Sequence, residues 1–264
     1  PIFRLGINYK PFEGTYIRSS FGQGYRYPTI AEKFTFTNAG GFRVIPNPGL
    51  QSETGFSTEL GIRQELKFFF VSMYIDLAAF YSEYDNMMEF TLSRDVTAGF
   101  QAQNVGDIAI PGIEGSWGTQ WDLGLLKVQT LIGYTFTDPH YRTFTESLKL
   151  SGTSDENILK YRYRNSLKSN LSVELGKISL WINQRYNSHM ISIDRNFEQF
   201  ISGIGDFRDV YDEGYNVFGL QLSYQFSSFS VGLNIDNITN TLYTERPALL
   251  EAPRNISLQI KMEI

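Results

Sequence analysis

"NISLQIKMEI", residues 255–264, alternates without a break. Ile256, Leu258, Ile260, Met262 and Ile264 take one face, and Asn255, Ser257, Gln259, Lys261 and Glu263 take the other. Successive side chains of an extended strand point to opposite sides, so this stretch reads as a strand with one apolar and one wet face. Helical spacing does not fit it. The same period of two runs upstream. In "FSVGLNID" (229–236), Phe229, Val231, Leu233 and Ile235 oppose Ser230, Gly232, Asn234 and Asp236. In "FGLQLSYQF" (218–226), Phe218, Leu220, Leu222, Tyr224 and Phe226 oppose Gly219, Gln221, Ser223 and Gln225. "YRYRNSLKSNLSVEL" (161–175) sets Leu167, Leu171, Val173 and Leu175 against Arg162, Arg164, Lys168 and Glu174.

Carried along the chain, the pattern predicts strands at 2–9, 15–21, 53–63, 68–82, 100–120, 125–136, 160–175, 177–187, 212–226, 229–237 and 254–264. The connections alternate in length. Short ones fall at 10–14, 64–67, 122–124, around Gly176 and at 227–228; long ones fall at 22–52, 83–99, 137–159, 188–211 and 238–253. Tight turns at one end and long loops at the other, with an apolar outer and a polar inner face, are the pattern of an all-β, antiparallel transmembrane β-barrel.

Composition agrees. Charged residues are 19% while aromatics reach 15%, with Tyr 16 and Phe 21. Rings cluster near strand ends, at Tyr9, Phe12, Tyr16, Phe68, Phe69, Trp117, Trp121, Tyr134, Phe136, Trp181, Tyr186, Tyr224 and Phe226, as expected of interfacial girdles. The most apolar run, "FFFVSMYIDLAAFY" (68–81), carries Ser72 and Asp76 and is shorter than the ~20 residues of a spanning helix. Cys 0 excludes disulfides, thiolate metal sites and a cysteine nucleophile. A net charge of -5 argues against nucleic acid as a partner. No secretory leader is legible, so the residues are expected to follow any targeting segment.

The ordered motifs "IRSSFGQGYRYPTIAEKF" (17–34), "NPGLQSETGFSTELGIRQ" (47–64), "IDLAAFYSEYDNMMEF" (75–90), "NVGDIAIPGIEGSW" (104–117), "LIGYTFTD" (131–138), "LNIDNITNTLY" (233–243) and "APRNISLQIKMEI" (252–264) resemble the C-terminal half of a TonB-dependent outer-membrane receptor. The first two look like receptors of Bacteroidetes-type bacteria. The resemblance implies about eleven strands of a 22-stranded barrel, with short turns in the periplasm, long loops outside, and the plug and first half of the barrel supplied by a second polypeptide or fragment. It implies a place in the bacterial outer membrane, in contact with lipid. It also implies active transport of a scarce nutrient, a ferric siderophore or similar metal chelate or cobalamin, coupled to the TonB complex through the plug. Uptake of an oligosaccharide or peptide, or a passive porin or surface-binding barrel, are the alternatives. No enzyme activity and no cofactor are expected.

Among candidate ligand residues the resemblance places loop aromatics and cations: Phe34, Phe36, Phe42 and Arg43 in the first long loop, then His140, Tyr141, Arg142, His189, Arg195 and Phe197. Polar-face residues Arg18, Glu59, Arg63, Arg162, Arg164 and Lys168 are expected to face the lumen and plug. "SGTSDE" (151–156) lacks a nucleophile elbow, and "DFRDVYDEG" (206–214) lacks the glycine-punctuated spacing of a calcium loop, so neither a catalytic nor a metal site is expected. "GQGYRYPT" (22–29) has Gly22 and Gly24 at a dinucleotide-like spacing, but Tyr27 and Pro28 replace the third glycine and the helix start. A bulge or close backbone approach at those glycines is expected instead, as is a bulge or late strand start at Pro111.

Overall fold

The computed structural model describes residues 1–39, 42–93 and 99–262. Eleven strands form one antiparallel meander in chain order. They are β1 (Arg4–Phe12), β2 (Thr15–Arg26), β3 (Glu53–Phe68), β4 (Val71–Leu92), β5 (Phe100–Leu123), β6 (Leu126–Thr137), β7 (Asn165–Leu175), β8 (Ile178–Asn187), β9 (Tyr215–Gln225), β10 (Phe229–Asp236) and β11 (Asn255–Met262). The alternation read from the sequence is therefore the alternation of one sheet; residues 263–264 of the last predicted strand lie outside the described residues.

Register turns that pattern into a surface. Phe68, Val71, Trp121, Val128, Val173, Leu180, Leu222, Leu233 and Leu258 stand directly across from one another in succession, from β3 to β11. This face is a continuous apolar band whose members are exposed or half-buried and none buried, so the wall has no core of its own. The register also climbs. The row that starts at Thr15, beside the β1–β2 turn, passes through Gln64, Ile75, Trp117, Ile132, Ser169 and Gln184 to Phe218, well above the end of β9 at Gln225. Such stagger is the shear that tilts the strands of a barrel wall. Among the described residues, β1 and β11 each lack a partner on their outer edge.

Several expectations change. β4 and β5 are 22 and 24 residues long, so most of the predicted loop at 83–99 is a tall hairpin. Asn86 and Gly106, both at positive φ, accompany register shifts around Met87, which lets the ladder pass turn-like residues and resume. Pro111 causes no bulge: it pairs in register with Tyr81, while the β6 ladder begins one residue later at Gly112. Its missing N–H falls in that gap, and its carbonyl accepts from the Asp138 amide at 2.9 Å. Gly22 and Gly24 lie in an unbroken β2–β3 register, and a Cβ at Gly24 would meet nothing within 4 Å, so neither bulge nor close approach explains them. Tyr16 and Trp181 lie on the polar face, across from Arg63 and from Ser172 and Gln221, rather than in a girdle.

Burial is concentrated at the long-loop end. One cluster joins Leu50, Met88 and Ala102; a second joins Ile108, Tyr141 and Leu159; a third joins Met190, Ile193 and Ile204. Among the described residues the loops contain four short helices that alternation could not reveal, α1 (Ile30–Phe34), α2 (Glu146–Ser151), α3 (Arg195–Phe200) and α4 (Ile204–Val210). The first had a legible signal in "TIAE": Thr29 caps the Glu32 amide while Glu32 answers the Thr29 amide, a capping box.

Candidate functional site

The tall β4–β5 hairpin is the post around which the loops assemble. Near the start of β5, Val44 pairs in parallel with Phe100, Asn47 Nδ2 donates to the Ala102 carbonyl, and Asn104 exchanges hydrogen bonds with the Gln51 backbone. Further along β5, a two-residue strand at His140–Tyr141 pairs with Ala109 and Ile108. Both pairings use the edge of β5 that faces away from β4, so the post carries the first loop and the 138–164 loop one after the other along it.

A buried polar centre ties in the 188–214 loop. Asp194 receives the Lys160 ammonium, the Thr91 hydroxyl at 2.6 Å and the Tyr161 hydroxyl at 2.5 Å. Its carboxylate is 5% exposed and the Lys160 side chain 9%, so each charge depends on the other. Desolvation and the Asp194 charge push the Tyr161 phenol far above its ordinary pKa, which keeps it a neutral donor. Beside it, Arg162 Nη2 donates to Glu89 Oε1 at 2.6 Å, while Glu89 Oε2 is buried without a partner.

The sequence candidates divide into two groups. Tyr141 is buried against Ile108 and Leu159, and Phe197 packs on Phe100 and edge-on to Tyr161. Arg142 is held by Glu83, Asp85 and Asp107, reaching the last at 3.3 Å. His140 donates Nδ1 to the Asp138 carbonyl at 2.7 Å. These side chains are engaged in holding the loops. Phe34, Phe36 and Arg43 are exposed on the first loop; Phe42 is on the same short strand as Arg43, with its side chain outside the described residues. His189 and Arg195 line one polar hollow with Thr153, Glu198 and Asp212, and Arg195 Nε donates to the Gly152 carbonyl at 2.9 Å. Among the described residues no group of His, Cys, Asp and Glu could hold a metal ion.

On the polar face of the wall, Arg18 donates to Glu59 and Asp76, each at 2.7 Å, and Arg63 lies over the Tyr74 ring at 4.1 Å. Lys168 stands across from Arg185 and has no ion pair among the described residues, whereas Arg185 pairs with Glu245. Arg162 and Arg164, expected on the seventh strand, precede it: Tyr161 has φ 63 and β7 starts at Asn165. Arg164 binds Asp138 at 2.9 Å and Glu156 at 3.0 Å.

Sequence reasoning missed Tyr163, Tyr215, Tyr243 and Arg208, which with His189 wall a cavity of about 270 Å³ between the 188–214 segment and the 242–250 segment. Tyr215 and Tyr243 lie ring to ring with centroids 4.6 Å apart, and Tyr163 meets Tyr215 edge-on. The residues are far apart in sequence and carry no shared motif.

Known proteins share this fold. The hemophore receptor HasR of Serratia marcescens, solved with its hemophore HasA and heme, superposes with a TM-score of 0.63 at 16% identity, covering 98% of this chain and 39% of that chain. The ferric-catecholate import receptor Fiu of E. coli K12 gives 0.64 at 14% identity, covering 99% and 34%. Among curated proteins, the probable hemoglobin and hemoglobin-haptoglobin-binding protein 1 of Haemophilus influenzae is 26% identical over 121 residues, 42% of this chain and 11% of that protein. The chain thus spans well under half of each of these relatives. A family model described as TonB dependent receptor-like, beta-barrel matches residues 2–238, which runs from β1 through β10, and the chain belongs to that family.

Proposed function

We propose that this chain forms wall and loops of a receptor that actively imports a scarce nutrient, an iron-bearing chelate ahead of cobalamin, driven by TonB through a plug held in the rest of the receptor. Barrels of this family stand in the bacterial outer membrane, which accounts for an exposed apolar band with no core behind it. The two free edges, β1 and β11, call for a further set of strands, because an open edge in lipid leaves its backbone groups unsatisfied. We assign those strands and the plug to another part of the same receptor or to a second fragment, with Arg18, Glu59, Arg63 and Lys168 facing the plug.

The observation that carries the reading is the loop assembly. Two long segments, 138–164 and 188–214, are locked to one strand hairpin around Asp194, which gives a preformed surface above the wall. A passive pore has no need of such a surface. The relatives named above are receptors and binding proteins, and their chemistry points to transport rather than to catalysis.

The test is growth of a strain deleted for the gene on ferric catecholates, ferric porphyrin, cobalamin and oligosaccharides as sole sources, with and without TonB. A TonB-dependent growth defect on one source is expected. Growth unaffected on all of them, or uptake independent of TonB, would overturn the proposal.

A further inference from the structure

The short turns at the lower end of the wall differ in chemistry. Phe69 and Phe70 make the β3–β4 turn, and Gly124 and Leu125 make the β5–β6 turn. The others are polar: Glu13 and Gly14 after β1, Gly176 and Lys177 after β7, and Ser227 and Ser228 after β9. Phe69 is fully exposed and Leu125 is 77% exposed. Rings beside the β9–β10 turn behave otherwise. Phe226 and Phe229 stack on each other with centroids 4.4 Å apart, which leaves the two serines at the tip.

The two apolar turns continue the lipid-facing band. Phe68 and Val71, which flank the first, open that band; Leu123 and Leu126, which flank the second, pair on the same face two residues beyond Trp121 and Val128. The height of the band then places the turns. On β4 the outward positions Val71, Met73, Ile75, Leu77, Ala79 and Tyr81 are uncharged, and Glu83, held by Arg142, is the first charge above them. The ten residues from Val71 to Tyr81, at about 3.3 Å each along a strand tilted by about 40°, rise about 25 Å, the whole apolar height of a barrel of this kind. Lipid that begins below Glu83 therefore ends at Val71, and Phe69 and Phe70 fall at its lower boundary.

The turn backbone suits that place. The Phe70 carbonyl accepts from the Asp122 amide at 2.9 Å and the Leu125 carbonyl from the Gly176 amide at 3.0 Å, so the neighbouring hairpins satisfy carbonyls that would otherwise need water. Lys177 follows Gly176, so an exposed cation stands beside Leu125, placed to meet a phosphate headgroup.

We infer that the β3–β4 and β5–β6 turns dip their apolar tips into the boundary between acyl chains and headgroups of the periplasmic leaflet, with phospholipid as the partner, while the β9–β10 turn stands in water. The membrane boundary then crosses the short-turn rim at a slant. The inference rests on the family's place in the outer membrane and not on the nutrient imported.

The whole receptor, with plug and complete barrel, is reconstituted in vesicles of phosphatidylethanolamine and phosphatidylglycerol. Cys 0 in this chain lets one nitroxide be placed at a time, at Phe69→Cys, Leu125→Cys or Ser228→Cys, with any cysteine elsewhere in the receptor replaced. Relaxation of each label by oxygen, which partitions into lipid, is compared with relaxation by a nickel chelate, which stays in water. Heat-modified mobility selects the folded variants, and Leu125→Cys reads the same surface if Phe69→Cys fails to assemble. The ratio of oxygen to nickel effect at 69 and 125 is expected to exceed that at 228 by about tenfold. Nickel-dominated relaxation at 69 and 125 would put the tips in periplasmic water and overturn the inference. Labels there that neither reagent reaches would show a covering protein surface and overturn it equally, and an oxygen-dominated label at 228 would overturn the slant.

Discussion

Thr91 Oγ1 donates to Asp194 Oδ2 at 2.6 Å across 103 positions of sequence. The bond joins the top of β4 to the 188–214 loop, and Lys160 completes the centre from the 138–164 loop. Asp194→Ala leaves the Lys160 ammonium buried without a counter-charge, at a cost of about 3–5 kcal/mol. The expected outcome is faster amide exchange and proteolysis in both loops, with the wall itself still resistant to detergent unfolding. Equal protection of the loops in variant and parent would show that the centre does not hold them.

Among the described residues, Arg142 is the sole cation touching Glu83, Asp85 and Asp107. It is partly exposed, so screening limits its contribution, and Arg142→Ala should cost about 1 kcal/mol. Because three carboxylates are then left together, the loss should shrink as salt rises. Arg142→Lys should recover only part of it, since an ammonium lacks the planar fork. Denaturant titrations at low and high salt provide the check.

Adjacent residues of β9 face opposite environments. Leu222 belongs to the apolar band, across from Leu180 and Leu233, while Gln221 is on the polar side across from Trp181 and Asn234. Leu222→Arg should destabilise the barrel by about 2–4 kcal/mol and Gln221→Arg by far less. Heat-modified mobility on gels reads the difference. Equal effects would mean that the faces are assigned the wrong way round.

Gly214 has φ 87, and a Cβ there would run into the Asn187 carbonyl oxygen and the Ser188 backbone. Gly214→Ala should therefore cost about 1–3 kcal/mol from backbone conformation alone. The strain falls beside Tyr215, in the wall of the tyrosine-lined cavity. A variant of unchanged melting behaviour would contradict the placement of this turn.

Burial and Arg208 lower the pKa of His189 below the ordinary 6.5. The unfolded chain then takes up the proton first as pH falls. The contribution of this segment is complete above about pH 6.5 and declines as pH passes down through the lowered value. Asp209 and Asp212 act in the opposite sense and moderate the shift. Amide protection in 188–214, relative to the intrinsic exchange rate at each pH, should thus fall as pH drops below about 6.5 in the parent and not in His189→Gln.

The wall was legible because a two-faced strand writes its environment into every second residue. Val173, Leu222, Leu233 and Leu258, chosen by alternation alone, stand in one row of the folded sheet with Phe68, Val71, Trp121, Val128 and Leu180. Exceptions have local causes. Tyr16 and Trp181 are rings whose amphipathic bodies suit either face, and Tyr161 leaves the extended region through a positive φ that no residue type announces. Asn86 looked like a loop and is a bulge, since turn-forming residues also serve a shifted register.

The loops were not legible in the same way. That they are long, polar and aromatic is in the sequence, and so are His140, His189, Arg142 and Arg195 as candidates. Which of them grip the protein and which line a hollow depends on partners tens of residues away, such as Asp107 for Arg142 and Tyr211 for His189. Sequence by itself determined an antiparallel wall, its two faces and its order of strands, because neighbours in a meander are neighbours in the chain. Only tertiary structure decided the Asp194 centre and the tyrosine-walled cavity, because both are made by separate loops meeting above the sheet.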